Sequence, residues 1–388
     1  MPVRISRRAR AIAVAATAAG LALTCVGAAQ ASPTAAQNGA SHSGRVFDHI
    51  YVIMLENHSK SSVIGDPNAP FITSLAHKFG MASHYFGVTH PSMPNYLAAI
   101  AGDNFGIQDD NDQNVVNLDR TNLVDQLERA HINWGAYMQT LPHNKLDRFG
   151  PTFSGATSDA DPVQPGKQVA LYAKKHNPFV LFDDNLTSSR LSHVKDYAQL
   201  GADLNGRNAP QFVWITPNQC SDMHGGVNDA VPGHPETPCP FGSTKDDPND
   251  AALKHKADMF VKGAVDTITH SHAWTNRSAI VIVTDENDFT GNEVTGGWES
   301  AAGCCDSPYV PAADPRISPD WPGGTYGGGL IPAVVVTASG PRHFTDSTPF
   351  NHYSLLTTIE DNWNLGHIGH AGDTANGVVP MFPLFTHH

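Results

Sequence analysis

Four runs of this 388-residue chain are apolar for most of their length: 46–55 (VFDHIYVIML), 211–216 (QFVWIT), 279–284 (AIVIVT) and 330–337 (LIPAVVVT). They are rich in β-branched and aromatic residues and do not alternate strictly with polar ones. That pattern predicts strands covered on both faces. Between them lie segments with helical spacing. In 250–270 the apolar positions are Ala257, Phe260, Val261, Ala264, Val265 and Ile268, one face of a helix. Shorter helices are predicted at 71–79, 96–101 and 123–130, and a long one over 352–365. A fifth strand is expected at 133–138. Strands alternating with helices predict an α/β fold, a mostly parallel central sheet with helices on both faces.

Polar residues recur where the strands end. Glu56 and Asn57 follow the first, Asn218 the second, and Asp285 and Glu286 the third. In a parallel sheet those ends share one edge, where ligands bind in open α/β folds. Close carboxylates repel unless a cation neutralises them, so the cluster is expected to hold a divalent metal. The set Glu56, Asn57, Asp285 and Glu286, completed by the Ser92 oxygen, is rich in oxygen. It suits Ca²⁺, Mg²⁺ or Mn²⁺ better than Zn²⁺.

Ser92 lies in Thr89-His-Pro-Ser-Met-Pro-Asn-Tyr-Leu-Ala-Ala-Ile-Ala-Gly102. Two prolines stiffen the entry to a helix, and Ser92 is expected to be its N-cap. A hydroxyl there faces unpaired N–H groups and the positive end of the helix dipole, where a phosphate is readily held. Phosphoryl transfer to Ser92 and then to water is the chemistry this arrangement suggests. Among the 21 histidines, His224 lies just past a strand end and His352 opens the last helix. Either could ligate metal, bind phosphate or protonate a leaving oxygen. His90 is a further, weaker candidate.

Charge and cysteine content add to this reading. Arg4, Arg7, Arg8 and Arg10 precede an Ala-rich run, and Ala29-Gln-Ala31 fits a cleavage site. Residues 1–31 are therefore expected to be a signal peptide, 32–44 a disordered leader and 45–388 one catalytic domain. Ser6-Arg7-Arg8 is a partial twin-arginine motif, and the protein is expected to be secreted. Four of the 24 Lys and Arg leave with the signal, so 20 face 37 acidic side chains, a net charge of −17. That balance disfavours nucleic acid and anionic membranes. No segment after the signal is apolar enough to span a membrane, and a monomer is expected. Cys220, Cys239, Cys304 and Cys305 remain, which suggests two disulfides with the pairing left open.

The combination resembles the bacterial phosphoesterase family of secreted acid phosphatases and phospholipases C, within the alkaline-phosphatase superfamily. The motifs that carry it are His49-Ile-Tyr-Val-Ile-Met-Leu-Glu-Asn57, Thr89-His-Pro-Ser-Met-Pro-Asn95, Val283-Thr-Asp-Glu286 and Ser347-Thr-Pro-Phe-Asn-His-Tyr-Ser-Leu-Leu356. The resemblance implies an alkaline-phosphatase-like fold, with Glu56, Asn57, Ser92, Asp285 and Glu286 around a metal. It implies Ser92 as nucleophile and His224 and His352 lining a phosphate pocket. Phospholipase C members usually read Glu-Asn-Arg-Ser-Phe-Asp where this chain has Glu56-Asn-His-Ser-Lys-Ser61. They also carry an Arg in Gly-x-Arg-Val-Pro where this chain has Gly329-Leu-Ile-Pro332. The chain looks closer to the acid phosphatase branch, some of whose members act on phosphatidylinositol 3-phosphate. The expected substrate is a small-molecule or lipid phosphate monoester. The rival readings are a phospholipase C and a non-catalytic calcium-binding protein, the latter kept open by Asp109, Asp110 and Asp112.

Overall fold

The computed structural model describes residues 45–146, 171–225, 239, 241–242, 247–288, 300–317 and 320–386. The expected signal peptide and leader lie outside the described residues. Eleven strands run in chain order. They are β1 (His49–Leu55), β2 (Gly80–Phe86), β3 (Trp134–Met138), β4 (Val194–Asp196), β5 (Phe212–Thr216), β6 (Ser278–Thr284), β7 (Tyr309–Val310), β8 (Gly324–Thr325), β9 (Leu330–Thr337), β10 (Phe344–Asp346) and β11 (Phe350–Asn351). Nine of them form one sheet in the order β10-β2-β9-β6-β1-β5-β3-β4, with β11 also on β2. All of its pairings are parallel except those of β9, which runs against β2 and β6. β7 and β8 form a separate antiparallel pair.

The apolar runs become central strands because both sheet faces are covered. Successive side chains of a strand point to opposite faces. Ile50, Val52 and Met54 of β1 enter one core, with Leu97 and Ile100 of the helix Ser92–Ala101 and Leu355 and Ile359 of the helix His352–Trp363. Tyr51, Ile53 and Leu55 enter the other, with Ile72 and Leu75 of the helix Pro70–Lys78 and Val261 and Ala264 of the helix Pro248–Thr269. Each such Val, Ile or Leu contributes about 1.5–3 kcal/mol by burial.

The long helices start where capping chemistry permits. Asp247 accepts from Asn249 N, and Pro248 takes the first turn, where no N–H is needed. Asn351 accepts from the amides of Tyr353 and Ser354, so His352 is the first residue of its helix. Observed ends differ from the sequence reading by at most four residues, the largest at the helix predicted over 96–101, which starts at Ser92.

The sequence reading did not anticipate β2 (GMASHYF). Its Gly80 and Ala82 are small and its Ser83 and His84 polar, so it shows no continuous apolar run. Pro178 opens a 3₁₀ turn, Pro178–Val180, and Phe179 stacks on Trp134. No helix among the described residues is long and apolar enough to cross a membrane.

Candidate functional site

The register of the sheet brings the acids together. Leu55 pairs with Thr284 across β1 and β6, so Glu56 and Asp285 leave the sheet side by side. Asp285 N donates to Leu55 O at 3.0 Å, and Asn57 N donates to Asp285 Oδ1 at 2.9 Å. Asn57 has φ 49°, a left-handed conformation that Asn tolerates better than most residues. The end of β2 reaches the same edge through Gly87. A Cβ there would lie 2.8 Å from Asp285 O and 2.9 Å from Gly328 Cα, so only glycine lets the three loops meet.

Ser92 is not the N-cap that the sequence suggests. Pro91 occupies the cap position, and Ser92 is the first helical residue, 1% exposed. Its hydroxyl turns away from the helix end. Ser92 Oγ stands 3.0 Å from Glu56 Oε2 and 3.3 Å from Glu286 Oε1. The capping role passes to Asp110, whose Oδ1 accepts from Met93 N at 3.0 Å. Asn95 stitches the approach loop, accepting from Val88 N and Thr89 N and donating to Thr89 O and Pro91 O. His90 Nδ1 pairs with Glu286 Oε2.

The second strand contributes differently from expectation. Asn218 Oδ1 accepts from Cys220 N, and its carbonyl accepts from the amides of Ser221 and Asp222. Asn218 therefore folds the turn, and Asp222 is the acid delivered to the site, fully buried. Asp222 Oδ1 accepts from His224 N at 2.8 Å. The disulfide Cys220–Cys239 anchors this loop, and the second disulfide joins the adjacent Cys304 and Cys305.

His176 was not singled out in the sequence, yet it lies inside the cluster. Its Nε2 is 3.3 Å from Glu56 Oε1 and its Nδ1 is 3.6 Å from Asp222 Oδ2. Its ring stacks on Tyr96 at 5.4 Å, and Tyr96 O–H donates to Glu56 Oε1 at 2.5 Å. The sequence signal was slight: Lys175-His-Asn-Pro178 is a polar stretch beside the apolar run 179–182. Lys175 Nζ reaches Asp110 Oδ2 at 2.7 Å.

His352 departs from its expected place in a phosphate pocket. It is fully buried, with Nε2 2.6 Å from the Asp285 carbonyl oxygen and Nδ1 3.2 Å from Tyr85 O–H. The carbonyl can only accept, so Nε2 carries the proton and Nδ1 accepts from the tyrosine. Both ring nitrogens are engaged in holding the Asp285 turn.

Burial, then the charges of Asp285 and Asp222, hold the Glu56 carboxyl well above its usual range. Burial, then Glu286, does the same to Asp285. Burial raises Asp222 as well, and it lowers His176 far below the usual imidazole range and His224 to about 4. Asp285 Oδ2 and Asp222 Oδ2 are buried without a hydrogen-bond partner among the described residues. Buried carboxylates with unpaired oxygens fit a bound cation. Glu56, His176 and His224 each offer a ligand atom, all within 4.8 Å of one another. This group adds His176 to the candidate donors read from the sequence, and its mix of nitrogen and oxygen suits a wider range of metals than oxygen alone.

A cleft of about 470 Å³ opens on the cluster, lined by Asn57, His90, Gln108, Asp110, Glu286 and Tyr326 among others. A larger cavity of about 1010 Å³, bordered by His49, Trp134, His193 and Arg207, lies at the opposite end, where β1 and β3 begin. The buried acids are absent from it.

A mostly parallel sheet of the α/β class thus gathers buried acids and imidazoles at its carboxyl edge, where ligands bind in such folds. The chain belongs to the phosphoesterase family, whose model matches residues 65–234 and 242–366. It is 26% identical over 334 residues to a probable acid phosphatase of Kluyveromyces lactis, covering 85% of this chain and 62% of that one. It is 24% identical to a phosphate-repressible acid phosphatase of Penicillium chrysogenum, covering 84% and 61%. The chain thus spans about three-fifths of the length of these curated relatives. A phosphatidylinositol-3-phosphatase of Mycobacterium tuberculosis is 32% identical over 185 residues, 46% of this chain and 52% of that one. Among solved structures, the lipoteichoic acid synthase LtaP from Listeria monocytogenes shares the fold. It has a TM-score of 0.50 and 11% identity, over 86% of this chain and 78% of that one.

Proposed function

We propose that this protein is a metal-dependent phosphomonoesterase that works by double displacement on Ser92. The observation that carries the reading is the setting of Ser92 Oγ, between Glu56 Oε2 and Glu286 Oε1 at the start of a buried helix. The relatives named as acid phosphatases support the same reaction class.

In the first half, Ser92 Oγ attacks phosphorus, its proton passes to a carboxylate oxygen within 3.3 Å and on to the ester oxygen, which leaves as an alcohol. In the second, water attacks the phosphoserine and inorganic phosphate leaves, with Ser92 recovering a proton. The positive end of the Ser92 helix dipole would favour the charge that develops on the phosphoryl oxygens. Glu56, Asn57, Asp285 and Glu286 would hold the metal, with His176 and His224 as further donors. The metal would supply Lewis-acid polarisation of the phosphoryl group and lower the pKa of the attacking hydroxyl. His352 keeps the Asp285 turn in place, and Asp222 orients His224 through its amide.

The substrate class is phosphate monoesters. The name of the M. tuberculosis relative supports phosphoinositide monoesters as candidates within it. The arginine-rich start, the Ala-rich run and the paired cysteines support export to an oxidising compartment. The test is hydrolysis of p-nitrophenyl phosphate before and after chelation. Activity that disappears with the metal and returns with one added divalent ion is expected. Full activity in a demonstrably metal-free sample would overturn the metal dependence. Release of diacylglycerol from phosphoinositides, without inorganic phosphate, would establish the phospholipase C reading instead.

A further inference from the structure

A phosphate monoester approaching this cleft carries nearly two negative charges near neutral pH. The acids that line the cleft are Asp109, Asp110 and Glu286, and Glu56, Asp285 and Asp222 lie buried in the cluster. The fold brings a cation to the same place. Lys175 Nζ is 2.7 Å from Asp110 Oδ2, while Asp110 Oδ1 accepts from Met93 N, the residue after Ser92. The ammonium therefore stands two hydrogen bonds from the nucleophile's own helix turn. Its charge is felt at Glu56, Asp285 and Asp222 on one side and at His176 and His224 on the other.

Lys175 cannot drift from this place. It belongs to the 3₁₀ turn Lys174–His176, and its neighbour His176 is pinned between Tyr96 and Glu56. Thr216 Oγ1 donates to the His176 carbonyl at 3.2 Å, tying the turn to the end of β5. The Lys175 side chain is still 21% exposed and Asp110 is 32% exposed, and Asp110 lines the cleft. The lysine is thus anchored at its backbone, and its side chain is partly exposed beside a residue that lines the cleft. An ammonium has three donors, so it can keep Asp110 and still donate to a phosphoryl oxygen.

Resting on the phosphomonoesterase reading, we infer that Lys175 is the residue that selects monoesters over diesters. It donates to a non-bridging phosphoryl oxygen and offsets the additional charge that a monoester carries and a diester lacks. Asp110 holds it in line by joining it to the start of the Ser92 helix.

The test compares p-nitrophenyl phosphate with methyl p-nitrophenyl phosphate, a monoester and a diester with one leaving group, on the metal-loaded protein. Lys175→Gln is expected to lower kcat/KM by roughly 100-fold for the monoester and less than about 3-fold for the diester, as loss of a charge-assisted contact requires. Lys175→Arg should restore most of the monoester rate. A second readout needs no variant: inorganic phosphate should protect Lys175 of the wild type from amine-acylating reagent, read by mass spectrometry. An unchanged monoester-to-diester ratio in Lys175→Gln, or no protection by phosphate, overturns the inference and leaves the phosphomonoesterase reading standing. A wild type that cleaves the diester and not the monoester overturns that reading, and this inference with it.

Discussion

Ser92 and Tyr96 hold the two oxygens of a single carboxylate. Ser92 Oγ is 3.0 Å from Glu56 Oε2, and Tyr96 O–H donates to Oε1 at 2.5 Å. The two residues are four apart on one helix and so share a face, one turn above the other. Glu56 comes from the end of β1, so this contact locks the helix to the central strand. Tyr96→Phe removes one donor without changing the shape of the core. Loss of a partner behind a ligand or nucleophile is expected to lower metal affinity or activity by about 10–100-fold. Metal titration and steady-state kinetics on the folded variant check this, and wild-type values in both would refute it.

Asp285 offers a similar test at the next strand. Its Oδ1 accepts from Asn57 N, while Oδ2 is buried and without a hydrogen-bond partner among the described residues. Asp285→Asn keeps the size and removes the charge. The variant is expected to need a higher metal concentration for half-maximal activity, with no loss of melting temperature in chelator. A metal requirement equal to that of the wild type would remove Asp285 from the ligand set.

Glu360 gives a pH dependence away from the site. Burial pushes its carboxyl up to about 8, against hydrogen bonds from Gln126 Nε2 and Ile368 N that favour the ionised form. The folded pKa lies above the ordinary value of 4.5, so the folded chain keeps a proton that the unfolded chain releases. Stability linked to that proton is complete below the unfolded pKa and is lost as pH rises toward the folded one. Glu360→Gln stays neutral throughout. It should melt near the wild type at pH 5 and above it at pH 8, by a few kcal/mol at most on the order-of-magnitude scale of linkage. Equal melting differences at both pH values would contradict the shift.

Cys220 and Cys239 close a loop of sequence separation 19 that carries Asp222 and His224. Breaking the bond by Cys220→Ser with Cys239→Ser is expected to cost about 3 kcal/mol by loop entropy. Thermal melts and metal titration together check this. Metal affinity should fall as well, because both side chains would lose their anchor.

The core strands were legible because burial on both faces leaves continuous apolar runs, as in β1 and β6. Glu56, Asp285 and Glu286 were legible because parallel strands end on one edge. His176, Tyr96 and Lys175 were not. They lie on a 3₁₀ turn and inside a helix, and only the folded chain brings His176 and Tyr96 against Glu56 and Lys175 to Asp110. Asn218 misled because a polar residue after a strand serves a turn as readily as a site. His352 was expected in a phosphate pocket, and a sequence cannot show that the Asp285 carbonyl and Tyr85 O–H take both ring nitrogens. Ser92 was found for a partly wrong reason. It begins the helix, yet Asp110 does the capping, and that leaves the hydroxyl free to face the acids.

The most direct measurement is acid quenching of the metal-loaded protein during turnover of a ³²P-labelled monoester, with peptide mapping of the trapped label. The account requires phosphate on the peptide containing Ser92, no label in Ser92→Ala, and turnover by that variant reduced by roughly 10³-fold or more. Label on another residue, or Ser92→Ala turning over near the wild-type rate, would contradict it.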